Sequence, residues 1–196
     1  MSPSMQPTPY GPVIQTAFVT ADIRAAMPAF TRSLGAGPWF WRERGVFPRQ
    51  SFHGRPVETA LSIAMAYSGD MLIELIEQLD DTPSVYRSPG APPERLHHFG
   101  VAVTDYPAAL AQAATRGDTL HYEAEVANGA RVGYLQPQAP FPAMIELIEH
   151  LPATAAMFAR FRAAHDGWDG TDPIRPLAPV PRQARGCTGG NRPAQP

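Results

Sequence analysis

The chain has 196 residues, of which 44% are hydrophobic, enough for the core of one domain or of two small fused ones. Its net charge of −2 and its pI near 6.3 argue against a nucleic-acid-binding protein, which would carry a basic face. No apolar run is long enough to span a membrane, and the start of the chain lacks a signal pattern. We therefore expect a cytoplasmic protein that binds neither nucleic acid nor membrane.

Two residue types exclude further classes of chemistry. The single cysteine, Cys187, rules out a disulfide framework and a site built from several thiolates. All sixteen basic residues are arginine, so Schiff-base enzymes and phosphate loops that need a lysine are excluded as well.

The N-terminal part of the chain predicts a Pro-rich disordered tail over residues 1–11 and a β-α-β-β-β module over residues 12–79. Asp22 can cap the helix and Gly35 can end it, while Pro28 predicts a late start or a kink. The predicted strands are Val13–Thr20, Trp39–Arg44, Val57–Tyr67 and Met71–Leu79.

The C-terminal part repeats this order after a Pro-rich linker over residues 80–95. The second module, residues 96–151, predicts a strand at 96–104, a helix at 106–116 and strands at 119–127, 130–136 and 143–150. The extension 152–177 contains a predicted helix at 153–166, which we expect to pack across the outside of one sheet. Residues 178–196 predict a second disordered tail.

The two modules share more than their order of elements. The sequence from Gln15 to Asp22 aligns with that from His98 to Asp105, and the strand around Glu74 aligns with the strand around Glu146. Each half therefore begins with a strand that carries Gln or His and ends with a strand that carries Glu. Since side chains alternate along a strand, the face of Gln15 and His98 also carries small residues and leaves room for a cavity.

These four side chains form a candidate set of metal ligands. A Gln oxygen, an imidazole nitrogen and two carboxylates suit one divalent ion, with Ni, Co, Zn, Fe and Mn all open. Two buried glutamates would repel each other unless a cation lay between them. The alternative is that His98 is a core histidine and that the glutamates face water, as we expect for Glu77 and Glu149.

The paired modules resemble the vicinal oxygen chelate superfamily, which contains glyoxalases, bleomycin resistance proteins and extradiol dioxygenases. The resemblance covers about residues 12–150 and is most specific at HHFGVAVTD and at the two IELIE strands. It implies an α+β fold in which two βαβββ modules form a cupped mixed sheet around a central site, here with a C-terminal helix. It also implies Gln15, Glu74, His98 and Glu146 as metal ligands, with His97 pointing away.

The glyoxalase I and methylmalonyl-CoA epimerase branches match this ligand set best. The resemblance to them implies that a carboxylate moves a proton next to a carbonyl group, with Glu146 or Glu58 as that catalytic residue. Val19 and Gln78 stand where glutathione-binding residues would fall, which disfavours glutathione. The extradiol dioxygenases use two His and one Glu, so Gln15 counts against oxygen chemistry.

The sequence therefore predicts a metal-dependent epimerase, isomerase or glyoxalase-like lyase that acts on a small carbonyl compound or an acyl thioester. Trp39, Trp41 and Arg42 are the candidate substrate-pocket residues, two as apolar walls and one as an anion anchor. A non-catalytic ligand-binding protein of the bleomycin-resistance type and an iron-dependent dioxygenase are the alternatives. A homodimer is compatible with the sequence.

Overall fold

The computed structural model describes residues 9–87 and 90–177, which contain three helices and eleven strands. Most of the two predicted tails lies outside these ranges. The first half comprises β1 (Val13–Val19), α1 (Ile23–Leu34), β2 (Trp39–Val46), β3 (Gln50–Phe52), β4 (Arg55–Val57), β5 (Ala60–Ser68) and β6 (Met71–Gln78). The second half comprises β7 (Arg95–Val103), α2 (Tyr106–Arg116), β8 (Thr119–Glu125), β9 (Arg131–Gln136) and β10 (Met144–Glu149). The C-terminal extension adds α3 (Pro152–Asp166) and β11 (Ile174–Pro176).

The described strands form one mixed sheet in the order β11-β2-β5-β6-β1-β7-β10-β9-β8-β3-β4. At its centre the first strands of the two halves, β1 and β7, pair antiparallel. The last strand of each half lies parallel beside the first, β6 next to β1 and β10 next to β7. The four strands predicted to carry metal ligands are therefore neighbours, and the predicted α+β fold is confirmed.

The β3–β4 hairpin closes the sheet into a cup. The sequence pattern did not predict this hairpin, which pairs with β8 of the other half through Ser51 and Glu123. Only residues 47–49 separate the end of β2 from the start of β3. Since β2 and β3 lie near opposite ends of the strand order, this short connection forces the sheet to curl around its inner face, which carries Gln15 and Glu74.

Helices α1 and α2 cover the outer face, and both ends of α1 form as the sequence indicates. The carboxylates of Asp22 and Asp105 each accept a 3.0 Å hydrogen bond from a backbone N–H in the first helical turn. Gly35 and Gly117 end the helices in the left-handed conformation, with φ of 66° and 79°. None of the helices in the described ranges combines the length and the hydropathy that a membrane span needs.

The expected late start of α1 is wrong. The helix begins at Ile23, directly after its capping residue, and contains Pro28. Proline has no N–H to donate to the carbonyl oxygen one helical turn earlier. Because Pro28 is exposed, solvent can hydrate that carbonyl group instead.

The C-terminal helix α3 packs on the inner side of the cup, which corrects the expectation of an outer position. Phe161 of α3 is buried and stacks on Phe40 of β2, with 4.2 Å between the ring centroids. Alternation along β2 directs Phe40 away from α1, whose apolar side contacts Trp39. Strand β11 then pairs with β2, so the extension forms one wall of the cup.

A test of the inner face follows from Gly100 on β7. A Cβ atom at this position would lie 2.9 Å from both Gln15 Cβ and Ile148 Cδ1. Gln15 Cβ is attached directly to the backbone of β1, so the strands must shift to relieve the overlap. We expect Gly100→Ala to lower the free energy of unfolding by about 1–3 kcal/mol in urea denaturation.

Gly167→Ala is the matched control, because a Cβ atom there would meet nothing within 4 Å and its φ is −111°. Its free energy of unfolding should change by no more than about 0.5 kcal/mol. Equal effects of the two substitutions would contradict this account of the inner face.

Candidate metal centre and its cavity

The four predicted ligands occupy two adjacent rows across the central strands. Glu74 and His98 lie on either side of Ala17, and Gln15 and Glu146 lie on either side of Gly100. The two small residues sit between the polar side chains. They therefore leave space on the inner face for the four side chains to converge.

These side chains meet at one point, and all of them are buried. Gln15 Nε2 lies 2.8 Å from Glu74 Oε2 and 3.3 Å from both Glu146 Oε2 and His98 Nε2. His98 Nε2 lies 3.1 Å from Glu146 Oε2 and 3.4 Å from Glu74 Oε2. All four come from a single chain, so the cluster is complete without a partner subunit.

The spacing and chemistry of this cluster fit one divalent ion. Ligands about 2.1 Å from an ion lie about 3.0 Å apart in octahedral and about 3.4 Å apart in tetrahedral coordination, which brackets most of these separations. The ligand atoms of Glu74, His98 and Glu146 all lie within 4.8 Å of one another. Gln15 presents its amide nitrogen to the carboxylates, and a half-turn of the amide group would present its oxygen to a cation.

Protons balance part of the negative charge when no ion is bound. Burial by itself lowers the pKa of His98, but the charge of Glu146 and hydrogen bonds to both glutamates raise the pKa to about 9. Burial also raises the pKa of Glu74, and the nearby charge of Glu146 adds to this effect. A cation entering the cluster therefore competes with protons for the same side chains.

His97 faces the inside of the cup, which corrects the expectation that it points away. The pairing of β1 with β7 shifts by one residue here, because Ala17 lies opposite His98 and Phe18 lies opposite Leu96. His97 is thus the extra residue of a β-bulge, which interrupts the alternation of side chains. The imidazole is buried, with its ring centroid 5.1 Å from that of His98.

The hydrogen bonds of His97 set the tautomer of His98. His97 Nε2 lies 3.0 Å from the carbonyl oxygen of Val85, which can only accept, so this nitrogen carries the hydrogen. Burial and the charge of His98 lower the pKa of His97 to about 3, so its Nδ1 is an acceptor. That atom lies 2.8 Å from His98 Nδ1, which must donate to it. In neutral His98 the lone pair therefore sits on Nε2 and faces the cluster.

A cavity of about 110 Å³ lies beside the cluster. Gln15, Glu74 and Glu146 form part of its wall, and most of the remainder is apolar or aromatic. Its lining includes Phe47, Ile63, Met65, Tyr86, Tyr122, Ala124, Val132, Tyr134, Ile148, Met157 and Phe158. Many of these positions lie on the inner face of the sheet, and Met157 and Phe158 belong to α3.

Of the three predicted pocket residues, Arg42 lines the cavity and the two tryptophans do not. Trp39 is buried beneath α1, where its indole N–H donates to Thr31 Oγ1. Trp41 packs on the same face, with the Arg24 guanidinium 4.4 Å above its ring. Alternation along β2 separates Arg42 from the two tryptophans, because odd-numbered residues of this strand face α1 whereas Phe40 and Arg42 face inward.

The structure also separates Glu58 from the cluster. Glu58 lies between β4 and β5, is exposed, and does not line the cavity. The sequence pattern treated residues 57–67 as one strand, but the chain turns between Val57 and Ala60 and directs this carboxylate to solvent. Among the described residues, Glu74 and Glu146 are the carboxylates on the cavity wall.

Three buried tyrosines beside the cluster did not emerge from the sequence. The hydroxyl groups of Tyr86 and Tyr134 lie 3.2 Å apart, and Tyr122 donates to Gln50 Oε1 at 2.8 Å. Alternation along β8 and β9 could have placed Tyr122 and Tyr134 on the inner face. Tyr86 belongs to the Pro-rich linker, where no periodicity marks a buried residue.

Several solved structures are similar to this chain. Methylmalonyl-CoA epimerase from Mycobacterium tuberculosis has a TM-score of 0.51 and 18% sequence identity over 74% of this chain and 91% of its own. A hypothetical protein from Bacillus halodurans C-125 has a TM-score of 0.47 and 18% identity, over 71% of this chain and 94% of its own. A methylmalonyl-CoA epimerase in complex with methylmalonyl-CoA and NH4+ has a TM-score of 0.42 and 16% identity, over 73% and 96%.

No sequence among the curated proteins matches the chain. The family model described as the Glyoxalase/Bleomycin resistance protein/Dioxygenase superfamily matches residues 14–134, which is more than half of the chain and covers nearly all of the first module and part of the second. The strand order, the duplicated halves and this match lead to one conclusion: the protein belongs to the glyoxalase/bleomycin resistance protein/dioxygenase superfamily.

Proposed function

We propose that this protein is a divalent-metal-dependent enzyme that transfers a proton next to a carbonyl group. It would act as an epimerase, an isomerase or a glyoxalase-like lyase on a small carbonyl compound or an acyl thioester. The observation that carries the proposal is the convergence of two carboxylates, an imidazole and an amide beside a cavity, with both carboxylates and the amide on its wall. The likeness in fold to a methylmalonyl-CoA epimerase supports it at the level of the superfamily.

Gln15, Glu74, His98 and Glu146 would hold the ion, since their combined charge of about −2 matches that of a divalent cation. The ion could be Ni, Co, Zn, Fe or Mn. When bound, it supplies a Lewis acid that stabilises negative charge developing on a substrate oxygen.

Glu146 is the residue that we assign to proton transfer. Of the two carboxylates that the resemblance implied for this role, Glu58 does not line the cavity, whereas Glu146 lies on the cavity wall. Its carboxylate takes the proton from the carbon beside the carbonyl, and the electron pair of the C–H bond moves towards the carbonyl oxygen. Return of the proton to carbon completes an epimerisation or isomerisation. The apolar walls of the cavity keep water from competing for that proton.

A ligand-sequestering protein without turnover is the second candidate. The aromatic lining supports it, because Tyr86, Tyr122, Tyr134 and Phe158 offer flat apolar surfaces to a bound ring. Incubation in D₂O separates the two candidates. A proton-transfer enzyme exchanges deuterium into the carbon next to the carbonyl of a thioester or ketone, whereas a sequestering protein leaves that carbon unchanged.

Replacement of Glu146 tests the site directly. Glu146→Gln removes one negative ligand and the proposed base, so we expect metal affinity to fall by on the order of 100-fold and deuterium exchange to be lost. Calorimetric titration with Co²⁺ and NMR of the substrate measure the two effects. Glu77→Gln is the control, since Glu77 lies on the outer face and accepts a hydrogen bond from Ile23 N, which the amide oxygen can also accept. Equal losses in both variants would refute the assignment.

The pH dependence of the metal-free protein gives a second test. His98 has a folded-state pKa of about 9, above the value of about 6.5 expected in the unfolded chain, so its contribution to stability is complete below about 6.5. The free energy of unfolding in EDTA should therefore fall as the pH rises from about 6.5 to about 9, whereas metal affinity should rise over the same interval. In the His98→Gln variant, the free energy of unfolding measured by urea denaturation should not change over this pH interval. A wild-type free energy that stays constant between these pH values would contradict the prediction.

The hydrogen bond from His98 to His97 gives a third test. His97→Phe keeps a planar ring but removes the acceptor that fixes the tautomer of His98. We expect Co²⁺ affinity to fall about 10- to 100-fold, with a change in the visible spectrum of bound Co²⁺. His53→Asn, at an exposed turn distant in sequence from the cluster, should bind Co²⁺ as the wild type does. Wild-type affinity and spectrum in His97→Phe would show that His97 does not position His98.

A further inference from the structure

The cavity wall carries one cation among its apolar residues, Arg42 of β2. In the described part of the chain, its guanidinium group has no ion pair and no side-chain hydrogen bond. Burial lowers the pKa of Arg42, and no carboxylate offsets this effect. By contrast, Asn128 and Thr154 on the cavity wall are hydrogen-bonded to each other. Arg42 is therefore a charged residue of the cavity wall whose guanidinium group has no partner among the described residues and can bind an anion.

The strand is shaped to direct this side chain. The pairing of β2 with β5 is irregular between Arg42 and Gly45, and a Cβ atom on Gly45 would lie 2.9 Å from Arg42 Cδ. The aliphatic part of Arg42 thus lies over a glycine whose missing side chain makes room for it. Glu43 and Arg44, the residues within the irregular segment, are exposed.

The sheet register places Arg42 well away from the metal centre. Arg42 lies opposite Ile63 of β5, which lies opposite Ile76 of β6, two residues from Glu74. Two strand spacings amount to about 10 Å, so one ligand can reach both sites only if it is extended. The cavity between them is mostly apolar and has a volume of about 110 Å³, so the part of a ligand that it encloses must be compact.

We infer that the cavity binds a carbonyl compound with a compact apolar body and a single carboxylate at the end remote from the carbonyl group, and that Arg42 holds this carboxylate. The inference rests on the proposed function, because it names the substrate class of the same site. It narrows the substrate class of that proposal to a free acid, which matches the one cation that the described residues place on the cavity wall. Charge-assisted hydrogen bonds from the guanidinium supply the selectivity.

The test compares 4-acetylbenzoate with its neutral isostere 4-acetylbenzamide, both titrated into the Co²⁺-loaded full-length protein. We expect the wild type to bind the acid about 10- to 100-fold more tightly than the amide. Arg42→Gln should abolish this preference while Co²⁺ affinity stays unchanged. Gly45→Ala keeps the charge of Arg42 but displaces its side chain, so this variant should show a smaller preference for the acid. Arg44→Gln is the control, because it makes the same change in charge at an exposed neighbouring residue, and it should retain the wild-type preference for the acid.

Equal binding of the two probes by the wild type, a preference that persists in Arg42→Gln, or no binding of the acid at millimolar concentration would each overturn the inference. Co²⁺ affinity, measured on the same samples, tests the metal centre independently. If Co²⁺ does not bind, the proposed function fails. A preference for the acid that depends on Arg42 would then still establish Arg42 as the anion anchor.

Discussion

The central constraint in this protein is the burial of two carboxylates beside each other. Glu74 and Glu146 both approach His98 Nε2 within 3.4 Å and are shielded from water. Such a pair is costly to bury unless positive charge accompanies it, as protons on the cluster or as a metal ion. Three features bring this cluster together. They are the order of the central strands, the small residues Ala17 and Gly100 between the ligands, and the orientation of the His98 ring.

Duplication explains how a chain of this size can assemble the cluster. Each half contributes one polar residue from its first strand and one glutamate from its last. Antiparallel pairing of β1 with β7 brings the two pairs together across the middle of the sheet. Ala17 and Gly100 occupy the positions between them, where a larger side chain would fill the space. The outer face packs against α1 and α2. The residues that pack against the helices and the candidate metal ligands therefore lie on opposite faces of the same strands.

Segments outside the repeat make the cup asymmetric. The β3–β4 hairpin joins the far edge of the second half, the linker contributes Tyr86 and the carbonyl of Val85, and α3 covers one side of the inner face. These additions enclose a cavity on the inner face of the curved sheet. Aromatic side chains and Arg42 form part of the cavity wall. The repeated strands thus provide the chemistry of the metal centre, whereas the unrepeated segments define the shape that a substrate must fit.

The sequence by itself was sufficient for the repeat, for both helices of the modules, for most of the strands and for the four side chains that converge, because alternation and capping are local properties of the chain. Only the tertiary structure decided the rest. A bulge turns His97 inward, β2 directs Trp39 and Trp41 towards α1, and the turn before β5 exposes Glu58. The β3–β4 hairpin, the inner position of α3 and the burial of Tyr86 depend on contacts between segments far apart in the chain, for which a local pattern carries no signal.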